Sequence, residues 1–157
     1  MIKLQNEYIL LKNKEINLIA GKPGVGKTRF VVNEVKNASY EHKVLYISCE
    51  NSRAKLYEKY NLNTSDNLVI SDSFELEYIV NKIKDVKPEY VYIDYLELVK
   101  GEDILKALRK LCDEIESAVL VVSMTASKSD YSEYKSDKYE EVNNFMIITD
   151  ESIISMD

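Results

Sequence analysis

The 157-residue chain has little cysteine and no long apolar run, and each scarcity excludes a class of protein. The two cysteines, Cys49 and Cys112, lack the spacing of metal ligands, so we expect free thiols and an intracellular protein. No apolar run approaches the roughly 20 residues that a membrane-crossing helix needs, and residues 1–7 lack the apolar core of a signal peptide. We therefore expect a cytoplasmic protein without a membrane partner.

Arginine is also scarce, with only Arg29, Arg53 and Arg109 in the chain. They form no cluster that could serve as the arginine-rich lid of a small-molecule kinase. The net charge of −6 argues against a dedicated nucleic-acid coat protein, because lysine and arginine supply most of the affinity for phosphate. Length and composition indicate a single domain over residues 1–157, with an N-terminal extension over 1–14 and a polar loop over 125–144.

Three of the four glycines lie in one short segment, residues 21–28, which matches the phosphate-binding loop G-x-x-x-x-G-K-[ST]. An apolar strand precedes it and a helix follows it, which is the context that the motif requires. In such a loop, backbone N–H groups and the helix N-terminus bind a triphosphate, the lysine reaches the β- and γ-phosphates, and the hydroxyl binds Mg²⁺. The predicted nucleotide-binding residues are Gly21, Lys22, Pro23, Gly24, Val25, Gly26, Lys27, Thr28 and Arg29.

Strands and helices alternate along the chain, which is typical of an α/β fold with a mostly parallel sheet flanked by helices. We expect a closing hairpin formed by residues 145–149 and 152–156. The other strands are expected over 16–20, 43–48, 67–70, 89–94 and 118–123, and the helices over 29–35, 52–60, 73–86 and 102–117.

Two carboxylates follow predicted strands at the edge where open parallel sheets bind ligands. Asp94 ends the apolar run 90–94, which is the pattern of a Walker B strand, and is therefore predicted to hold Mg²⁺. Glu50 lies just beyond the second strand, and its position alone favours a solvated loop residue.

Four segments, in order, resemble the ATPase domain of DnaB-type replicative helicases, which belongs to the RecA-like class. They are residues 19–28, 45–50, 92–98, and 105–108 leading to 121–123. The most specific segment is Asp-Tyr-Leu-Glu-Leu at residues 94–98, where the family reads Asp-Tyr-Leu-Gln-Leu. The resemblance covers most of residues 15–156 and implies a RecA-like P-loop fold.

The resemblance also implies a function and a role for each matching residue. It implies hydrolysis of ATP with Mg²⁺ in DNA replication or recombination. Lys27 would bind phosphate, Thr28 and Asp94 would hold Mg²⁺, and Glu50 would activate the attacking water. Lys27, Glu50 and Asp94 are thus the candidate catalytic residues.

The chain departs from the family pattern in three places. It has Ser123-Met124 where the family has Ser-Gln, and methionine cannot donate the hydrogen bond of glutamine. Residues 145–157 contain no arginine or lysine, although the family places its arginine finger there; Lys135 and Lys138 are the nearest substitutes. The family's N-terminal domain and linker helix have no counterpart in the about 14 residues before the first strand. We therefore expect a low intrinsic rate.

The polar loop corresponds to a DNA-facing loop of RecA-like proteins. Tyr131, Tyr134 and Tyr139 could stack on the bases of single-stranded DNA. Residues 128–141, however, contain three lysines against five acidic residues, and an acidic loop repels phosphate. The composition therefore favours a solvated loop.

Three functions remain open from the sequence. The first is a slow ATPase that acts alone or with DNA, a replication protein or further copies of itself. The second is a nucleotide-binding module that docks on a helicase or another replication protein without significant hydrolysis. The third and weakest is a small-molecule kinase. Abundant Lys, Ile, Asn and Tyr resemble the products of AT-rich bacterial or phage genomes, so we expect a bacterial or phage-infected cell.

Overall fold

A mixed β-sheet flanked by helices organises the part of the chain that the computed structural model describes, which is residues 2–3, 11–22, 24–101, 103–123, 139–149 and 152–156. The helices are α1 (Lys27–Ala38), α2 (Arg53–Tyr60), α3 (Leu76–Val86) and α4 (Ile104–Ile115), with a short 3₁₀ helix at Leu96–Leu98. The strands are β1 (Ile2–Lys3), β2 (Ile16–Ala20), β3 (Val44–Ser48), β4 (Leu68–Ser71), β5 (Tyr90–Asp94), β6 (Ala118–Ser123), β7 (Asn144–Ile148) and β8 (Ser152–Met156).

The strand order is β1-β8-β7-β2-β6-β5-β3-β4, and the block from β7 to β4 is parallel throughout. This confirms the predicted α/β fold with a mostly parallel sheet. The predicted closing hairpin is also present, since β7 and β8 pair antiparallel with Ile147 opposite Ile154. Strand β1 was not predicted, because two residues are too few for a periodic pattern. It places part of the expected N-terminal extension beside β8, with Ile2 opposite Ile153.

Two apolar layers cover the two faces of the sheet, because strand residues that alternate along each strand point to opposite sides. Helices α1 and α2 pack on one face through Phe30, Val31, Val35 and Leu56. Helices α3 and α4 pack on the other face through buried residues at helical spacing: Ile79, Ile83, Leu105, Leu108, Leu111 and Cys112. A sheet covered on both faces explains the nearly continuous apolar strands.

Local hydrogen bonds shift several element boundaries from their predicted positions. The helix expected over 73–86 begins only at Leu76, because the preceding residues are extended and pair with Lys100, whose N–H donates to Phe74 O at 2.7 Å. Ser52 is the N-cap of α2, accepting from the N–H of Lys55 at 3.2 Å, rather than its first helical residue. Helix α4 ends at Ile115, since Glu116 takes a left-handed conformation with φ 63°.

The structure corrects the prediction of a polar loop over 125–144 in the C-terminal part of that loop. Tyr139 and Val142 are 6% and 9% exposed and belong to the apolar layer under α3 and α4. Tyr139 therefore does not present a stacking face to DNA. Tyr131, Tyr134, Lys135 and Lys138 lie outside the described residues.

Arg109 of α4 binds the two segments that lead into the neighbouring strands β2 and β7. Its guanidinium donates to Lys14 O at 2.6 Å, to Glu141 O at 2.7 Å and to the side-chain oxygen of Asn143. That same oxygen accepts the N–H of Ile16 at 2.8 Å, so one planar group fixes the start of both strands. Arg109, one of the three arginines in the chain, thus has a structural role.

We expect Arg109→Lys to lower the free energy of unfolding by about 1–3 kcal/mol, because an ammonium cannot reproduce the forked contacts with three acceptors. Urea unfolding of the variant measures this difference. The matched control is Arg53→Lys on the exposed start of α2, which should leave stability unchanged. Equal unfolding midpoints for the Arg109→Lys protein and the parent would contradict the structural role of Arg109.

Candidate functional site

The register of the parallel strands brings the predicted site residues to one edge of the sheet. Asp94 at the end of β5 lies opposite Ser48 at the end of β3, and Ala20 at the end of β2 lies opposite Ser123 of β6. The loop before α1, the turn after β3 and the end of β5 therefore meet at the carboxyl edge. The charges of Asp94 and Glu50 both act on Lys27, so the three candidate catalytic residues are brought together.

The glycines of the loop serve two different purposes. Gly24 and Gly26 have φ of 78° and 99°, and a Cβ on either would meet no atom within 4 Å. Their backbone thus borders open space, as expected of a loop that receives phosphates. Gly21 instead allows close packing, because a Cβ there would lie 2.5 Å from a side-chain carbon of Ile148 on β7. Lys22 and Arg29 are exposed and Val25 is partly buried, while Pro23 lies outside the described residues.

Lys27 is the first residue of α1 and is 4% exposed. Its ammonium donates to the carbonyl of Gly21 and, at 3.4 Å, to that of Lys22, both in its own loop. Burial lowers the pKa of Lys27, while the carboxylates of Asp94, Glu97 and Glu50 oppose that change. The structure therefore surrounds a buried amine with backbone carbonyls and acidic side chains at the point where a phosphate would approach.

Asp94 is fully buried, and Tyr46 donates to its Oδ2 at 3.2 Å. Its Oδ1 is buried without a hydrogen-bond partner of good geometry among the described residues. Burial raises the pKa of Asp94 to about 6, and hydrogen bonds from Thr28 and Tyr46 counteract the rise. An unpartnered carboxylate oxygen beside a threonine hydroxyl is a donor set that Mg²⁺ prefers. The side chains of Thr28 and Asp94 thus fit the Mg²⁺ ion that the sequence predicts they would hold.

Glu50 is exposed on the turn after β3, and two hydrogen bonds fix that turn. The N–H of Cys49 donates to Asp94 O at 2.7 Å, and the Ser48 hydroxyl donates to Asn51 O at 2.6 Å. The charge of Glu50 acts on Lys27 and on the phenol of Tyr95, so Glu50 lies near the phosphate loop. A carboxylate held near the loop in this way is available to a water molecule in front of the phosphates.

Three side chains at this edge were given no role from the sequence. Tyr46 donates a hydrogen bond to Asp94, and the ring of Tyr95 lies 5.4 Å from the Lys27 ammonium. Glu97 accepts a hydrogen bond from the Ser123 hydroxyl at the end of β6, and its charge acts on Lys27. Tyr95 and Glu97 belong to the Asp-Tyr-Leu-Glu-Leu segment that was used as a family signature, and that segment was the signal available for finding them.

The model of the family described as GvpD gas vesicle protein, P-loop domain, matches residues 7–154. The chain belongs to this family. The match includes the phosphate loop and both candidate carboxylates. It therefore agrees with the phosphate loop found in the sequence.

Similarity to other proteins extends to DNA repair proteins and helicase domains. The chain is 33% identical over 93 residues to DNA repair protein RadA of Listeria monocytogenes, and 32% identical over 94 residues to RadA of Bacillus subtilis. Each match covers 57% of this chain and 20% of RadA, so the chain spans about a fifth of the length of these curated relatives.

Two solved structures share the fold. One is described as an ATPase domain, with a TM-score of 0.61, 22% identity and coverage of 87% of this chain and 69% of that one. The other is a DnaB-like replicative helicase described with its primase interactions, with a TM-score of 0.61, 20% identity and coverage of 87% and 47%. The expected RecA-like P-loop fold, resembling the DnaB-type ATPase domain, is confirmed. Within the described residues, no helix combines the length and apolarity that crossing a membrane requires.

The raised pKa of Asp94 predicts an unusual dependence of the stability of the protein on pH. Burial raises its pKa from 3.8 to about 6, so the folded state binds this proton more tightly than the unfolded state. The favourable contribution is therefore complete below pH 3.8 and is lost as pH rises through 6. Without Mg²⁺, we expect Asp94→Asn to raise the free energy of unfolding at pH 7.5 by up to roughly 3 kcal/mol.

Thermal melting between pH 4 and pH 8 measures this effect, and the advantage of the variant should disappear near the acidic end. The control is Asp113→Asn, whose side chain is 58% exposed and should show no such trend. A constant difference between Asp94→Asn and the parent across this range would contradict the burial of a charged Asp94.

Proposed function

We propose that this domain binds ATP with Mg²⁺ and hydrolyses it slowly, as a DnaB-like component of DNA replication or recombination in the cytoplasm. The observation that supports this most is the meeting of Lys27, Thr28, Asp94 and Glu50 at one edge of the sheet, where a buried Asp94 oxygen has no hydrogen-bond partner among the described residues. The family match and the likeness to RadA support a nucleotide-dependent role.

Each residue has a distinct task in this proposal. The N–H groups of residues 21–28 and the Lys27 ammonium bind the β- and γ-phosphates, which requires Lys27 to exchange its loop carbonyls for phosphate oxygens. Thr28 and Asp94 hold Mg²⁺, which draws electron density from the phosphates when bound. Glu50 orients a water molecule toward the γ-phosphorus and accepts its proton.

The proposed rate is low because residues 145–157, where DnaB-type domains place an arginine finger, contain no arginine or lysine. Such an arginine is worth about 10³–10⁵ in rate where it has been measured. Arg109 is bound to Lys14, Glu141 and Asn143, at the segments that lead into β2 and β7. We therefore propose that single-stranded DNA, a replication protein or a second copy of this chain accelerates hydrolysis.

The missing arginine finger and Met124 in place of glutamine also favour a second candidate, a module that binds nucleotide and docks on a replication protein without significant hydrolysis. Phosphate release with and without single-stranded DNA separates the two functions. Release in either condition supports the ATPase, and ATP binding without release selects the docking module. Failure to bind Mg·ATP would overturn both. Solution mass with and without Mg·ATP tests self-association.

We expect Glu50→Gln to lower turnover by about 10²-fold or more, because the amide cannot accept the proton of the attacking water. Binding of Mg·ATP should be unchanged, since the variant leaves the loop and the metal ligands intact. Phosphate release and equilibrium nucleotide binding are the two measurements. Glu58→Gln on the exposed face of α2 is the matched control. Unchanged turnover in Glu50→Gln would rule out the assignment of Glu50.

A further inference from the structure

A pocket of about 470 Å³ lies beside the candidate site, next to the carboxyl end of β5. Three segments form its walls, namely the 3₁₀ helix after β5, the first turn of α4 and residues 139–141 before β7. Its volume falls within the range of roughly 300–1,000 Å³ that is typical of ligand pockets. We call it the α4 pocket.

The inner wall of the α4 pocket is apolar. Leu96, Leu105 and Tyr139 belong to the apolar layer under α3 and α4, and Val99 and Ile104 are partly buried against that layer. A group that fits here should therefore be apolar where it meets this wall, because burying apolar surface on both sides removes it from water.

Two sets of contacts fix the walls before any ligand binds. Gly101 has φ 141°, and a Cβ there would lie 2.5 Å from the Cβ of Leu76, so this wall packs closely on the start of α3. In the opposite wall, Arg109 donates to Glu141 O at 2.7 Å, and its Nε lies 3.5 Å from the Glu141 carboxylate. A preformed pocket costs little conformational entropy when it is filled.

The mouth of the α4 pocket is acidic. Among the described residues that line it, the exposed carboxylates of Glu97, Asp103 and Glu140 outnumber the single ammonium of Lys106, while Glu141 is balanced by Arg109. Asp103 and Glu140 form no ion pair with any described residue. The excess negative charge attracts a cation and repels the phosphates of a nucleic acid.

The apolar wall and the acidic mouth together match a chain segment that carries an apolar side chain next to a lysine or arginine. We propose that the α4 pocket is the docking site for such a segment of a partner protein. The apolar side chain enters the pocket, and the cation pairs with Asp103 and Glu140 at its mouth. This inference gives a surface for the docking partner of the proposed function, and it rests on that function only in the link to nucleotide that follows.

Glu97 connects the α4 pocket with the nucleotide site. Its carboxylate accepts a hydrogen bond from the Ser123 hydroxyl at the end of β6, and Ser123 lies opposite Ala20, the residue before the phosphate loop. A cation that pairs with Glu97 therefore offsets a negative charge close to the loop. A docked segment and Mg·ATP should consequently each raise the affinity of the other, and by the same factor.

The probe for docking is a fluorescein-labelled peptide, Gly-Leu-Arg-Leu-Arg-Gly, titrated against the whole chain without nucleotide and followed by fluorescence anisotropy. Two control peptides replace either both leucines by serine or both arginines by glutamate. Each control should bind about tenfold more weakly or worse, because it loses either the apolar burial or the charge pairing. Equal binding of the three peptides would overturn the proposal.

The variant that tests the mouth is Asp103→Asn with Glu140→Gln. Asp103 has φ 57°, a conformation that asparagine also adopts, so the fold should be kept. We expect the affinity for the arginine peptide to fall about twofold to thirtyfold, as for two exposed ion pairs lost. The matched control, Asp85→Asn with Glu114→Gln, removes the same charge from exposed positions on α3 and α4 and should bind like the parent. An equal loss in both variants would overturn the proposal in favour of non-specific attraction.

Two further measurements identify the place and the occupant. On binding of the peptide, the amide resonances of residues 96–101, 103–106 and 139–141 should shift most, and shifts confined to α1 and α2 would overturn the proposed place. A dimer in solution that the Asp103→Asn, Glu140→Gln protein cannot form would assign the pocket to a second copy of this chain and overturn docking of a partner.

Repeating the peptide titration with Mg·ATP tests the link through Glu97. A chain that binds the peptide but not Mg·ATP would overturn the proposed function and leave the docking site standing. Binding of both ligands without mutual effect would overturn the link, and failure to bind the arginine peptide would overturn the docking site, whatever the phosphate assay shows.

Discussion

The buried carboxylate of Asp94 is the constraint on which the rest of this site depends. A charge removed from water is costly unless it is paired, and here burial raises its pKa to about 6. Tyr46 and Thr28 satisfy part of the carboxylate, but one oxygen remains without a partner among the described residues. The arrangement resembles an incomplete coordination shell rather than a structural ion pair, because a structural pair would leave no buried oxygen unsatisfied.

Within the phosphate loop, some residues serve packing and others serve the proposed binding of a ligand. The close approach of Ile148 requires glycine at position 21, so the role of Gly21 is to allow close packing against the sheet. The positive φ at positions 24 and 26 favours glycine, and both residues border open space, so we expect their role to be in binding the ligand. Lys27 meanwhile donates to carbonyls of its own loop, which satisfies its ammonium until an anion offers better acceptors.

The sequence predicted those parts of the site whose chemistry is local. The spacing within residues 21–28 and the apolar run before Asp94 are continuous motifs, and Glu50 needed the family resemblance because its own position favours solvent. Side chains whose roles depend on contacts between distant elements were not predicted. Tyr46 reaches Asp94 across 48 positions, and Arg109 reaches Lys14 across 95. Tyr139 looked like part of a polar loop because its neighbours in sequence are acidic, whereas its burial arises from the apolar layer under α3 and α4.

The charges around the loop would give the proposed Mg²⁺ ion a second task beyond chemistry. Lys27 is one buried cation, and three carboxylates, Asp94, Glu97 and Glu50, act on it. Glu97 stands where DnaB-type ATPase domains have a glutamine. It therefore adds a negative charge near the position that a triphosphate would occupy. A free triphosphate would therefore meet like charges at short range, where a low local dielectric strengthens repulsion. If the proposed Mg²⁺ binds at Asp94 and Thr28, its charge would reverse that balance, so we expect the metal to raise nucleotide affinity as well as reactivity.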